Sequence, residues 1–417
     1  MKKLSFSPEA VKAVEAGPLA ELGNLDSRIA LIQALIPVGL LAVAEVLEQE
    51  VAGLAGAHYQ RKASAQPHRR WGQQQGSVYL ADQKLAVSVP RVRNIQTQRE
   101  VSLESYQALQ VPRRLDEGLL LRILNGLSCR QYGACAEAVP EAFGLSPSTV
   151  SRRFIQASTR KLREFQERTL EDDDLVAVFF DGKTFAEDEM IIALGVTIAG
   201  EKIPLGFVQA ASENERVCRS FIDTLIQRGL RYEAGLLVLI DGSKGLFKAI
   251  TKALQGYVVI QRCQWHKREN VVAYLAPEEQ RRVRKQLKTA YDQSTYEAAR
   301  KGLENLKAEL ALVNQSALHS LEDGLEETLT LHRLGLMPYL KMSFRTTNCI
   351  ESLNSQVAQR TDNVKAWKNS SQRHRWLAAA LLDIQPRLRK VKGMRFLPLL
   401  REALQRELKL TTLTLSA

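Results

Sequence analysis

Two short apolar runs, each followed by Asp-Gly, constrain this chain most. Val176–Phe180 leads into Asp181-Gly182-Lys183, and Leu236–Ile240 leads into Asp241-Gly242-Ser243-Lys244. Five consecutive apolar residues leave no face for solvent, so each run predicts a buried strand. Further strands are expected at Ile191–Ile198, Ile203–Val208 and Tyr257–Gln261, with a tight turn at Ala199–Lys202. Helices are expected from Glu213 to Leu230, capped by Ser212, and from about Gly245 onward. Strands and helices in this order specify an α/β sheet.

The pattern differs on either side of that block. With 417 residues the chain is long enough for several domains. Residues 26–56 carry helical periodicity, with Pro37 expected at a helix start. A polar, basic stretch from Gln60 to Gln75 precedes a period-two pattern: Val78 and Leu80, a turn at Asp82-Gln83-Lys84, then Leu85, Val87 and Val89 up to Pro90. This predicts a β-hairpin that serves mainly for packing. Helical segments are expected at Gly118–Leu127 and Arg130–Ala138. After the turn Gly144-Leu145-Ser146, Ser146 is placed to cap a helix with Pro147 as its first residue. Val150 and Phe154 then face inward, leaving Ser148, Thr149, Arg152 and Arg153 outward as DNA contacts of a helix-turn-helix. A plain helical hairpin is the competing reading. The net charge of +12 favours a phosphate-rich partner.

From Pro277 to about Thr330 the sequence is charged and helical, and reads as an all-helical insertion in the α/β domain. A helix from about Cys349 to Arg360 follows Thr347-Asn348, and the stretch Arg373–Arg395 is strongly basic. The expected organisation is 1–66 helical, 67–110 hairpin, 111–170 helix-turn-helix-like, 171–276 with 341–380 catalytic, 277–340 the insertion, and 381–417 a basic C-terminal region. The five cysteines show no disulfide framework, MKKLSFSPEA is no signal peptide, and Ile29–Ala44 is too short to span a bilayer comfortably. A cytoplasmic protein without a membrane role is expected.

Ligands of open α/β sheets gather at the carboxyl ends of the strands, where Asp181 and Asp241 are expected to stand one step past their runs. Gly182 and Gly242 would let the chain turn there. A single Asp-Gly is only a turn signal; two, each closing a buried run, point to a site. Glu351, in the first turn of the helix behind Thr347-Asn348, is the candidate third carboxylate. Three carboxylates on separate elements suit two Mg2+ or Mn2+ ions working on a phosphoryl group. Lys183, Lys244, Lys267, Arg268 and Arg345 are candidate contacts to a DNA backbone. The acidic run Glu171–Asp174 is discounted because charge runs are usually solvated.

The motifs Phe-Asp-Gly-Lys (180–183), Leu-Ile-Asp-Gly-Ser-Lys-Gly (239–245), Gln-Arg-Cys-Gln-Trp-His-Lys-Arg-Glu-Asn (261–270) and Arg-Thr-Thr-Asn-Cys-Ile-Glu-Ser-Leu-Asn (345–354) occur in one order. In this the chain resembles the Mutator-type transposases of bacterial insertion sequences, over roughly residues 70–400. Trp376–Leu382 is similar to that family's C-terminal signature. The resemblance implies a ribonuclease H-like catalytic domain with an all-α insertion, and Asp181, Asp241 and Glu351 as metal ligands. It implies a mainly helical DNA-binding region, with a small hairpin, ahead of the catalytic domain. It also implies terminal inverted repeats and target DNA as partners and, by analogy, a homo-oligomer. The rivals are a sequence-specific DNA-binding regulator, which has no use for the paired aspartates, and a metal-dependent nuclease that cuts without joining.

Cys263 and His266 form a Cys-x-x-His after the strand Tyr257–Gln261. Two ligands fall short of a structural zinc site. The pair is expected to be structural, holding the start of the insertion against the core. Trp265 between them is expected in the core, with stacking on an exposed base as the alternative.

Overall fold

The computed structural model describes residues 25–57, 67–80, 83–110, 120–121, 123–126, 142–143, 147–185, 188–210, 214–362, 364 and 366–410. The chain forms two compact units, 1–157 and 158–417.

In the first unit a helix, α1 (Leu25–Ala55), is followed by the long antiparallel hairpin β1 (His68–Leu80) and β2 (Gln83–Asn94). Two short strands, β3 (Glu100–Val101) and β4 (Ala142–Phe143), pair with β2, and α2 (Glu104–Gln110) follows β3. Val43, Leu47 and Val51 of α1 pack on Val78, Val89 and Val92 of the hairpin. One face of the hairpin is thus covered, as the period-two pattern requires. Three expectations are corrected here. Helix α1 runs through Pro37 rather than starting at it. The hairpin's first strand begins at His68, inside the polar, basic stretch and ahead of the period-two pattern. Pro90 lies within β2 opposite Gln73, beside a register shift between Arg70 and Gln73, an irregularity of the kind that accommodates proline in a strand. The turn Gly144–Ser146 and the segment Arg130–Ala138 lie outside the described residues; of Gly118–Leu127, residues 120–121 and 123–126 are described, and 120–121 and 123–124 are helical as expected.

Helix α3 (Pro147–Glu167) starts at its proline, and Val150 and Phe154 are buried as expected. The second unit is built on a five-stranded sheet ordered β7-β6-β5-β8-β9. Strands β5 (Leu175–Phe185), β6 (Asp188–Thr197) and β7 (Lys202–Ala210) are antiparallel neighbours. Strands β8 (Leu236–Ile240) and β9 (Val258–Arg262) join β5 in parallel, after the crossover helices α4 (Glu215–Gln227) and α5 (Lys244–Ala253). Asn214, not Ser212, caps α4 through its side chain. Both apolar runs are buried on both faces. Phe180 meets Phe221 of α4 edge-on, whereas Phe179 stacks on Phe344 from the opposite side.

Beyond β9 the chain is helical: α6 (Gln264–Val272), α7 (Pro277–Tyr291), α8 (Tyr296–Val313), α9 (Gln315–Glu322), α10 (Leu325–Thr328), α11 (Thr330–Arg333) and α12 (Met337–Phe344). Val271, Val283, Leu287, Leu303, Leu310 and Leu321 give this insertion a core of its own. The helix α13 (Asn348–Thr361) then returns to β5, followed by α14 (Ser370–Ile384) and α15 (Leu397–Glu407). Among the described residues no helix is long and apolar enough to cross a membrane.

Candidate active site

The two aspartates reach the same end of the sheet by different routes. Asp241 directly follows β8, as the sequence predicts. Asp181 does not end its strand: it lies inside β5, opposite Ile192 of β6. The parallel pairing of β5 with β8 covers only Ala177–Phe179. Asp181 is therefore two residues past the last partner in β8, on a strand still held by β6. Gly182 accordingly makes no turn.

Gly242 does turn, with φ of +134°, and a side chain there would meet the guanidinium of Arg262. Arg262, the last residue of β9 and 8% exposed, donates from Nη2 to the carbonyl of Gly242 (2.8 Å) and from Nη1 to the carbonyl of Asp323 (2.6 Å). One buried cation thus joins the Asp241 turn to the far end of the insertion. The backbone N–H of Ser243 donates to Asp241 Oδ1 (3.1 Å), and the hydroxyl of Ser243 caps α5.

Glu351 and Asn354 lie one helical turn apart on α13. Asn354 Nδ2 donates to Asp181 Oδ2 at 2.7 Å, which brings Asp181 and this helix together. At the same end of the sheet, just past β9, the N–H of Cys263 donates to the carbonyl of Ile240 (2.8 Å), next to Asp241. Thr347, fully buried, bridges from there to Glu351. Its N–H donates to Cys263 Sγ (3.5 Å), and its hydroxyl lies 2.5 Å from Glu351 Oε1 and 3.3 Å from both Cys263 Sγ and His266 Nδ1. A hydroxyl has one proton. The carboxylate is the nearest and strongest acceptor, so Thr347 donates to Glu351 and its oxygen accepts from His266 Nδ1–H. Thr347 was expected as a helix cap, but its side chain makes no cap bond. The three carboxylates are each half-buried.

His266 carries a proton well above its ordinary range, up to about 9, chiefly through its hydrogen bond with Cys263 and further through the charges of Cys263, Glu351 and Asp241. Burial opposes ionisation of Cys263, yet the bonds from His266 and Thr347 hold the thiol below its usual range. A single charged ring therefore senses both Glu351 and Asp241. Ligand atoms of Cys263, His266 and Glu351 lie within 4.8 Å of one another. The sequence reading found no third group for the Cys-x-x-His pair; the tertiary structure places the Glu351 carboxylate of α13 beside it.

The candidate cations divide. Lys267 is corrected: it is buried, with Nζ donating to the carbonyls of Ser320 (2.6 Å) and Asp323, and burial lowers its pKa to about 8. It fastens the end of α9 and cannot meet a phosphate. Lys244 is exposed and 3.8 Å from Asp323. Arg268 pairs with Glu269 (2.9 Å), Arg345 with Asp292 (2.7 Å), and Lys183 is half-buried on β5. Trp265 is also corrected: at 47% exposure it is not core, and with Arg268, Lys288, Asp292 and Arg345 it lines a pocket of about 80 Å3. In the first unit Ser148 and Arg152 are exposed. Arg153 is not directed to solvent alone; it donates to Tyr79 Oη (2.8 Å) and covers that ring. The side chain of Thr149 lies outside the described residues.

Arg262 and Asn354 were not singled out from sequence, and Thr347 was read only as a helix cap. Thr347 and Asn354 stand at four residues before and three after Glu351, so helical spacing alone carried the signal. Nothing local marked Arg262.

The second unit is thus a mixed α/β domain with an acidic site at the carboxyl end of its parallel strands, interrupted by a helical insertion. Residues 30–389 match the family described as "Transposase, Mutator family", and the chain belongs to that family. It is 29% identical to the transposase for insertion sequence element IS905 of Lactococcus lactis, over 64% of this chain and 68% of that one. It is 26% identical to the transposase for IS256 in transposon Tn4001 of Staphylococcus aureus, over 78% and 83%. It is 27% identical to the transposase for ISRM5 of Rhizobium meliloti, over 78% and 81%.

Proposed function

We propose that this protein is a DNA transposase with a ribonuclease H-like catalytic domain, in which Asp181, Asp241 and Glu351 hold two divalent ions, Mg2+ or Mn2+. The observation that carries this reading is the linkage of three carboxylates from separate elements. Asn354 ties α13 to Asp181, and Thr347 ties Glu351 to the Cys263 that abuts the end of β8. The donor set fits hard cations: it offers carboxylate oxygens, half-buried on rigid elements, beside a buried amide oxygen of Asn354 that has no partner among the described residues. When bound there, such ions supply activation of a water or sugar hydroxyl and stabilisation of the leaving oxygen.

The chain itself does the positioning. Strand β5 and the end of β8 fix the two aspartates, Arg262 holds the Asp241 turn, and Thr347 orients Glu351 through one short hydrogen bond. Lys244, Arg268, Arg345 and Lys183 steer the phosphate backbone near the site, and Trp265 offers a stacking face. Ser148, Thr149 and Arg152 read the ends of the element from α3. The substrates are the element's terminal inverted repeats and target DNA, both strand transfers being in-line phosphoryl displacements. Paired ends call for a homo-oligomer working in the cytoplasm.

The test is an assay with the full-length protein, DNA carrying the flanking element ends, and Mg2+. Nicked ends and joined products, both lost on chelation, are expected. Cleavage without joining identifies a nuclease, and binding without cleavage a regulator.

A further inference from the structure

Asn354 sits where an apolar residue would pack. It is 8% exposed on the same helix as buried Leu353 and Val357. Polar groups survive such burial when they are hydrogen-bonded. One end of this amide is: Nδ2 donates to Asp181 Oδ2 at 2.7 Å. A carboxylate can only accept, so the nitrogen must face Asp181, and that settles which way the amide points. The other end, Oδ1, is buried with no partner among the described residues.

Two features of this arrangement suit a metal site. The Asn354 donor is neutral, so it orients the carboxylate without itself cancelling the charge a cation needs, as Lys or Arg at this position would. The donor also sits one turn along α13 from Glu351. Asp181 is thereby locked to the helix that carries the third carboxylate, and a rigid element sets their separation.

We propose that Asn354 is a positioning residue of the metal centre: its nitrogen holds Asp181 in the ligating rotamer, and its buried oxygen accepts a hydrogen bond from water brought in with the ion. Small divalent cations keep several waters, so such an acceptor has a use. The inference rests on Asp181 being a ligand, as set out above, and deepens that reading.

The experiment measures Mn2+ binding to the full-length protein by calorimetry, without DNA and without turnover. Asn354→Ala and the near-isosteric Asn354→Leu are compared with Asp181→Asn and with the double variants. Partners that orient metal ligands change affinity by about 10–100-fold. Asn354→Leu should weaken Mn2+ binding on that scale while its metal-free thermal unfolding stays as cooperative as the parent's. Asn354→Leu should add little further loss on top of Asp181→Asn, because the first change acts through the second residue. Parental Mn2+ affinity in Asn354→Leu overturns the inference, as does a fully additive double variant. If Asp181→Asn itself binds Mn2+ like the parent, it is the metal reading of the site that fails.

Discussion

The two sheets of this protein treat their side chains in opposite ways. The N-terminal hairpin buries one face against α1 and leaves much of the other in solvent, where Trp71 is 51% exposed beneath Arg93. The central strands β5 and β8 are buried on both faces through Phe180 and Ile240, and the chain emerges at Asp181, still within β5, and at Asp241, just past β8. Side chains on a solvated face are held by a few pairwise contacts. A carboxylate at the end of a strand buried on both sides is held by the whole core. The difference predicts where substitution removes chemistry, where it removes stability, and where it removes only affinity.

The largest effect is expected at the three carboxylates. Asp181→Ala, Asp241→Ala and Glu351→Ala should each lower strand cleavage by on the order of 10^3-fold or more, while DNA binding is retained. Asp173→Ala, in the acidic run ahead of β5, should be nearly silent in the same assay. Near-parental cleavage in any of the first three removes that residue from the site.

The second contrast is in stability. Phe180→Ala empties a fully buried position against Phe221 and should cost about 3–5 kcal/mol in denaturant unfolding. Trp71→Ala on the exposed hairpin face should cost about 1 kcal/mol or less. Equal losses would mean that the hairpin face is covered by something else.

Between these lies the Lys267 correction. Lys267→Ala leaves the carbonyls of Ser320 and Asp323 without their donor, which should lower stability by about 1–3 kcal/mol without changing the salt dependence of DNA binding. Arg152→Ala, at an exposed position of α3, should instead give DNA binding a shallower salt dependence. Binding data that swap these two phenotypes would return Lys267 to the DNA surface.

The smallest effect is on pH dependence. Folding raises the His266 pKa from 6.5 to about 9. The stability this provides is fully present below 6.5 and is lost as pH rises through 9. His266→Gln should flatten the fall in thermal stability across that window, read by thermal melts at several pH values. An unchanged slope would show that the ring is not held charged by Cys263.

Much of the α/β unit was legible in the order of residues. The buried runs, the Asp-Gly after β8, the crossover helices and the helical insertion follow from apolar periodicity and end signals, which are local. The hairpin's start at His68 was hidden because an exposed strand face is polar and reads as linker. Pro37 misled for a related reason: a proline can open a helix or sit within one, and sequence does not distinguish the two.

The sequence by itself determined that an aspartate would follow each of two buried runs, because five apolar residues in a row admit no solvent face, and it placed Glu351 at the start of a helix. Only the tertiary structure decided what holds those carboxylates. Asn354 reaches Asp181 across 173 residues of chain, Thr347 meets Cys263 across 84, and Arg262 finds the carbonyl of Asp323 across 61. It also turned Lys267 inward and left Trp265 half in solvent. Burial and hydrogen bonding at such separations depend on how the insertion folds back on the sheet, and no local pattern encodes that return.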